Sequence, residues 1–160
     1  MEYTDLIADF AQRTLRNLEH IELLAATGEE RAYPVTQLWN SLLGLVVLPR
    51  ERDIDRIPET PLTELWSEGW PHLMQSGPER RTLRQLVSGL RNAVAHFNVE
   101  FVADASREIT SVKVWNEAVV DGRPDRGSRG WTCRITVGDL DRLAKLIASV
   151  YLQEFASRAA

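Results

Sequence analysis

The chain has 160 residues, of which 44% are hydrophobic and 26% charged, and its formal net charge is −4. This length and composition predict one globular domain, residues 1–160, with its own core, and they exclude a disordered chain. The acidic balance counts against broad, nonspecific nucleic-acid binding. Neither a long apolar run nor a signal peptide is present, and the single cysteine, Cys133, excludes an intrachain disulfide framework. We therefore expect a cytoplasmic protein that does not contact a membrane.

Apolar periodicity predicts helices in the first half of the chain. Residues 2–26 repeat apolar positions at helical spacing, which predicts a long first helix. Residues 36–47 are apolar on almost every side, which predicts a buried helix that ends before Pro49. The proline and the dense charges of residues 50–61 are typical of a loop, and residues 62–70 predict a short helix.

The segment 78–97 predicts the next helix and carries most of the chemistry. Its apolar stripe is predicted to contain Leu83, Leu86, Val87, Leu90, Ala93, Val94 and Phe97. The opposite face collects Arg81, Arg84, Gln85, Ser88, Gly89, Arg91, Asn92, Ala95 and His96. Arginine holds phosphate or carboxylate at two points, and Gly89, Ser88 and Ala95 let another backbone come close. The face is therefore predicted to meet an anionic partner, although arginines that only solubilise the helix explain its charge equally well.

Beyond residue 97 the apolar residues alternate, which predicts three strands, at residues 98–103, 109–116 and 131–137. Residues 121–130 have the composition of a mobile loop. Its three arginines could contact RNA or simply lie in a solvated turn: Arg123, Arg126 and Arg129.

A last helix is predicted from residue 139 to about residue 156, with Thr136 or Gly138 as its cap. The expected fold class is therefore mainly α. We predict one helical bundle with a small antiparallel β insert, at about residues 98–137, before the C-terminal helix.

One short motif on the segment 78–97 suggests a function. Arg91 is followed directly by Asn92 and, after four intervening residues, by His96. Here the chain resembles the HEPN superfamily (higher eukaryotes and prokaryotes nucleotide-binding domains), whose signature is an arginine and, a few residues later, a histidine on a late helix of an all-α bundle. The resemblance implies a metal-independent endoribonuclease that works as a homodimer without a cofactor. It also implies a role as a toxin or antiviral defence effector, with an antitoxin or defence protein as a further partner.

Two observations qualify the motif. The signature allows four to six intervening residues, so Arg13 and His20 on the first predicted helix, with six between them, also satisfy it, and their ordinary surroundings favour a chance match. HEPN toxins that a partner nucleotidyltransferase silences carry a tyrosine two residues after the histidine. That position is Asn98 here, so control by modification of a tyrosine at this position is not expected.

Helix geometry separates Arg91 from His96. Five residues turn a helix by about 140° and advance it by roughly 7.5 Å, whereas Asn92 and His96 share a face. Two copies around a two-fold axis can bring the two groups together, which predicts a homodimer with a composite site. The RNA-binding residues are predicted to be Arg81, Arg84 and Ser88.

In that site His96 would move protons near neutral pH, Arg91 would stabilise charge on the phosphorane oxygens, and Asn92 would orient His96 or the phosphate. No metal site is expected, because the three histidines are scattered. In the alternative interpretation His96 is a structural histidine near a helix C-terminus and Arg91 forms a surface ion pair. The chain would then be a non-catalytic HEPN module that binds a nucleotide or a partner protein.

Overall fold

The computed structural model describes residues 6–28, 33–49, 51–121 and 123–156, so the predicted helical residues 2–5 lie outside it. The elements in chain order are α1 (Leu6–Ala26), α2 (Pro34–Val47), α3 (Glu51–Ile54), α4 (Leu62–Ser67), β1 (Met74–Ser76), α5 (Leu83–Ala95), β2 (Val99–Ala103), β3 (Ile109–Val120), β4 (Arg123–Thr136) and α6 (Val137–Ala156). They form two compact units: the first unit is residues 1–57 with 140–160, and the second unit is residues 58–139. None of the helices within the described ranges combines the length and hydrophobicity of a membrane span.

Helices α1, α2 and most of α6 supply the core of the first unit. Its buried side chains include Ala11, Leu18, Leu42, Leu45, Val46, Leu143, Ile147 and Tyr151. Lys145 of α6 also links two helices, because its ammonium donates hydrogen bonds to Glu22 at 2.6 Å and to Asp141 at 3.1 Å. The hydrogen bond from Lys145 lowers the pKa of the Glu22 carboxyl. The structure confirms the predicted first and second helices, but α3 interrupts the predicted loop at residues 50–61.

The second unit is built on a four-stranded antiparallel sheet with the strand order β1–β4–β3–β2. Met74 pairs with Arg134, Val114 pairs with Cys133, and Val99 pairs with Val114. Helix α5 packs on β3. The buried residues of this unit include Leu86, Leu90, Ala93, Val112, Val114, Trp131, Cys133 and Ile135.

The predicted fold class is wrong, because the protein has a mixed α and β fold rather than a mainly α bundle with a small insert. The sheet begins with β1, which precedes α5 and so lies outside the predicted insert at residues 98–137. Strand β1 has only three residues, too few to show alternation in the sequence. It becomes a strand because it pairs with β4, a long-range contact that its own residues do not indicate.

The predicted loop at residues 121–130 is also corrected. Strand β3 extends to Val120 and β4 begins at Arg123, so most of this segment belongs to a long hairpin. Register shifts interrupt the pairing of β3 with β4 around Glu117. Such irregularities break the strict alternation of side chains. In addition, the glycines and arginines of the segment give it the composition of a loop. The cap of the last helix is confirmed, since the Thr136 hydroxyl accepts a hydrogen bond from the Asp139 N–H at 3.2 Å.

Cys133 gives a chemical test of the second unit. It is fully buried, and this burial, with a smaller contribution from the charge of Asp139, raises the pKa of its thiol to about 12. Only the thiolate reacts with disulfide reagents, so we expect native protein to resist labelling by dithionitrobenzoate at about pH 8. One thiol per chain should react promptly once denaturant is added. Rapid labelling of the native protein would contradict the buried placement.

Candidate functional site

Helix α5 carries the motif residues near its C-terminal end. The helix begins after Thr82, whose hydroxyl accepts a hydrogen bond from the Gln85 N–H at 3.3 Å. Its buried residues are Leu83, Leu86, Val87, Gly89, Leu90 and Ala93, which confirms most of the predicted apolar stripe. Asn92 lies in the last turn and His96 is the cap residue, and both side chains are exposed.

The end of α5 is a Schellman turn in which Phe97 takes the left-handed conformation, with φ of +55°. The Phe97 N–H donates to the Val94 carbonyl at 3.0 Å, and the Asn98 N–H donates to the Ala93 carbonyl at 2.8 Å. Glycine usually takes this position, because the left-handed conformation costs other residues about 1–2 kcal/mol. The prediction that Phe97 belongs to the buried stripe is wrong: the helix ends before this residue, and Phe97 is 90% exposed.

Asn92 and His96 line a depression of about 310 Å³ in the second unit, which we call the motif pocket. No described residue forms a hydrogen bond with the imidazole of His96, so the ring is open to a ligand. The other polar residues of the motif pocket come from before α5, after α5 and from β3: Arg80, Asn98, Asn116 and Glu117.

Hydrogen bonds hold the side chain of Asn116 and the backbone of Asn98 in place at the motif pocket. The Asn116 side chain donates a hydrogen bond to the Gly89 carbonyl at 3.1 Å. The Asn98 carbonyl accepts one from the Trp115 N–H at 3.2 Å. The Asn116 amide is therefore positioned against α5 before any ligand binds, and the backbone of Asn98 is held against β3.

The remaining predicted site residues do not join this pocket. Arg91 is half-buried, lies outside the motif pocket and forms no ion pair with any residue that the structure describes. Arg84 approaches the Glu59 carboxylate at 3.4 Å. Arg81 lines a different pocket of the second unit, and Ser88 is half-buried outside both. One protomer therefore brings Asn92 and His96 together and leaves Arg91 apart from them.

Gly89 was predicted to lie on an open face where another backbone could approach. In the structure Gly89 is buried. A Cβ at this position would lie 3.1 Å from Nε of Arg80 and 3.3 Å from the ring of Trp131. The Arg80 guanidinium lies 5.5 Å from the centre of that ring. The small residue therefore accommodates side chains of its own chain, and this prediction is wrong. Ala95 remains exposed and Ser88 half-exposed on the same helix.

Sequence reasoning missed four polar residues of the motif pocket: Arg80, Asn98, Asn116 and Glu117. Arg80 had a local signal, since it lies in a basic segment just before α5. Asn116 and Glu117 had none, because a polar residue on a strand is ordinary until the register of the sheet and its packing on the helix are known.

Other candidate groups from the sequence have partners elsewhere. Arg13 of the first-helix motif forms an ion pair with Asp9 at 2.9 Å. Arg129 lies 4.5 Å from the centre of the Trp115 ring and 4.0 Å from the Glu100 carboxylate. The side chain of Arg126 lies outside the described part of the structure. Within the described residues, no group of three or more histidine, cysteine, aspartate or glutamate side chains has the arrangement of a metal site.

Comparison with protein families gives a match that spans almost the whole chain. The profile of the family described as HEPN pEK499 p136 matches residues 1–157. Comparison with curated proteins and with solved structures gave no significant match. The matched range includes α5, the motif pocket and both units. The chain therefore belongs to the HEPN pEK499 p136 family, within the HEPN superfamily that its Arg91–His96 motif resembles.

Proposed function

We propose that this protein is a metal-independent endoribonuclease that acts as a homodimer in the cytoplasm. The observation that carries the proposal is the motif pocket, where Asn92 and His96 lie exposed beside Arg80 and no described residue bonds to the His96 imidazole. Arginine attracts the phosphate of a nucleic acid. Histidine exchanges protons near neutral pH. Together they match the needs of phosphodiester cleavage.

RNA supplies its own nucleophile for this reaction. As the ribose 2′-OH attacks the adjacent phosphorus, a general base takes its proton, and the bond from phosphorus to the 5′-oxygen breaks. The departing oxygen takes up a proton, and the products carry a 2′,3′-cyclic phosphate and a 5′-hydroxyl. His96 serves one of these proton transfers, Asn92 orients His96 or the phosphate, and a guanidinium stabilises the charge on the phosphorane oxygens.

Arg91 supplies that guanidinium from the second protomer. Along one helix it is turned about 140° from His96, and it lies outside the motif pocket of its own chain. In a two-fold dimer each α5 contributes one group to a shared cleft. The proposed biological role, by resemblance to other HEPN proteins, is that of a toxin or antiviral effector under the control of an antitoxin or defence partner.

The test is an assay of purified protein with total RNA and excess EDTA. The control is the double variant Arg91→Ala/His96→Ala, prepared in the same way so that it reports contaminating nuclease. We expect the wild type alone to cleave the RNA and to leave 5′-hydroxyl ends, which polynucleotide kinase labels without prior phosphatase treatment. Intact RNA with the wild type, or equal cleavage by the double variant, would favour the non-catalytic alternative instead.

A further inference from the structure

A second pocket lies in the second unit, between the start of α4, β1 and the segment that leads into α5. Its volume is about 750 Å³, and we call it the tryptophan pocket after Trp66. The residues that bear on its chemistry are Trp66, His72, Met74, Glu79, Arg80 and Arg81. The ribonuclease chemistry proposed above does not use this pocket.

The rings of Trp66 and His72 and the thioether of Met74 form an exposed surface there. The rings of Trp66 and His72 have their centres 4.0 Å apart and are tilted by 44°. Trp66 is 38% exposed and Met74 is 60% exposed. Exposed aromatic rings are the usual platforms for unpaired bases, since a base can stack on the face of any such ring.

Charged residues line the same pocket. Arg80 and Arg81 both line the pocket, and both can bind the phosphates on either side of a base. Glu79 lines it as well, and its carboxylate disfavours a phosphate but accepts hydrogen bonds from the amino groups of bases. This set of charges therefore suits a neutral base inside the pocket and phosphates beside Arg80 and Arg81.

Arg80 connects this pocket to the motif pocket, because it lines both. Its backbone is fixed by Gln75, whose amide accepts from the Arg80 N–H at 2.9 Å and donates to the Arg80 carbonyl at 3.1 Å. The same Gln75 oxygen accepts a hydrogen bond from the indole of Trp131 at 2.8 Å. Arg80 thus has a fixed place between the two pockets, where one phosphate of a continuous strand can reach it.

We propose that the tryptophan pocket binds one unpaired nucleobase of the RNA, next to the phosphate that is cleaved at Asn92 and His96. The inference rests on the proposed function and assigns that enzyme a site for substrate recognition. The base stacks on Trp66 and His72, and Arg80 binds the phosphate between the two pockets. Selection of the cleavage site then depends on a residue of α4 as well as on the motif.

The test uses a fluorescent 2′-O-methyl oligonucleotide of about ten nucleotides, which binds but offers no 2′-OH nucleophile. Its affinity is measured by anisotropy for the wild type, Trp66→Ala and the conservative variant Trp66→Phe. Stacking on an aromatic ring contributes enough that Trp66→Ala should weaken binding by about 5- to 150-fold, whereas Trp66→Phe should largely restore it. Leu23→Ala is the matched control, since Leu23 is an apolar residue of the first unit and is 63% exposed.

The possible results distinguish a failure of the base-binding pocket from a failure of the proposed ribonuclease. If circular dichroism shows that Trp66→Ala does not fold, the same binding measurement is made with His72→Ala, which changes an exposed residue. If the wild type cleaves RNA while the folded variants bind as tightly as the wild type, the pocket has no such role and the ribonuclease stands. Binding that depends on Trp66 without any cleavage by the wild type would support the pocket and overturn the ribonuclease. A wild type that binds no oligonucleotide would overturn the role of the pocket, whereas the cleavage assay alone decides the ribonuclease.

Discussion

Replacing His96 with alanine is expected to lower kcat/KM for RNA cleavage by roughly 10²–10⁴-fold, the usual contribution of a general acid or base. The imidazole is exposed in the motif pocket and has no hydrogen-bond partner among the described residues. Its removal should therefore affect the chemical step much more than the fold. Arg91→Ala is expected to cost roughly 10²–10³-fold through the lost stabilisation of phosphorane charge. Initial rates with a fluorophore-quencher RNA measure both effects.

Mixing the two inactive variants tests where the arginine comes from. If Arg91 of one protomer serves His96 of the other, a dimer of one Arg91→Ala chain and one His96→Ala chain has one intact site and one site that lacks both groups. Random exchange makes about half of the dimers mixed, so about one quarter of the wild-type activity per chain should return. If both groups of a site came from one chain, no intact site would exist in any dimer.

The chain contains its own control, since Arg13 and His20 on α1 also satisfy the family signature, with six intervening residues instead of four. Arg13→Ala/His20→Ala should keep full activity, because the loss of the exposed ion pair with Asp9 costs only about 0.2–1 kcal/mol of stability. Gel filtration must show that the variants remain dimers. An active His96→Ala variant would remove His96 from the chemistry, and a mixture that stays inactive would rule out the composite site.

The helices of this protein follow from local periodicity, whereas only part of the sheet does, namely β2, the first part of β3 and the second part of β4. The apolar spacing of α1, α5 and α6 predicts these helices because each of them buries one stripe of its own sequence, and α2 is predicted by its almost continuous apolar composition. Strand β1 has three residues, and the first half of β4 has irregular pairing. Strand β1 is a strand because of a partner that is distant in sequence, whereas the register shifts in the β3–β4 hairpin hide the alternation of β4, so local patterns predict too few strand residues.

The same distinction explains which part of the motif pocket was predicted. Asn92 and His96 are four residues apart on one helix, so their shared position follows from helix geometry. Asn116 reaches the same pocket only because β3 packs on α5 and places its amide against Gly89. Gly89 shows what helix geometry alone does not predict. A small residue on a helix indicates a close neighbour, but its spacing does not say whether that neighbour is another protomer or, as here, Trp131 of the same chain.

Gly77→Ala is expected to lower the free energy of unfolding of the second unit by roughly 2–5 kcal/mol, the sum of backbone strain and steric overlap. Gly77 directly follows β1 and has φ of +81°. A Cβ there would overlap the carbonyl oxygen of Gly130 in β4. Gly130 has little room to retreat, since its own Cβ position lies 2.8 Å from Cα of Ala118 in β3. Urea titration followed by tryptophan fluorescence measures the loss.

Gly69→Ala is the matched control, because it separates conformational strain from the overlap. Gly69 lies in the same unit with φ of +91°, but nothing lies within 4 Å of its Cβ position. The alanine there should cost only the strain of the left-handed backbone, about 1–2 kcal/mol. Four of the five tryptophans lie in the second unit, so their emission reports mainly on its unfolding. Equal losses in the two variants would mean that Gly77 is required for its backbone conformation alone, and that the turn after β1 does not press against β4.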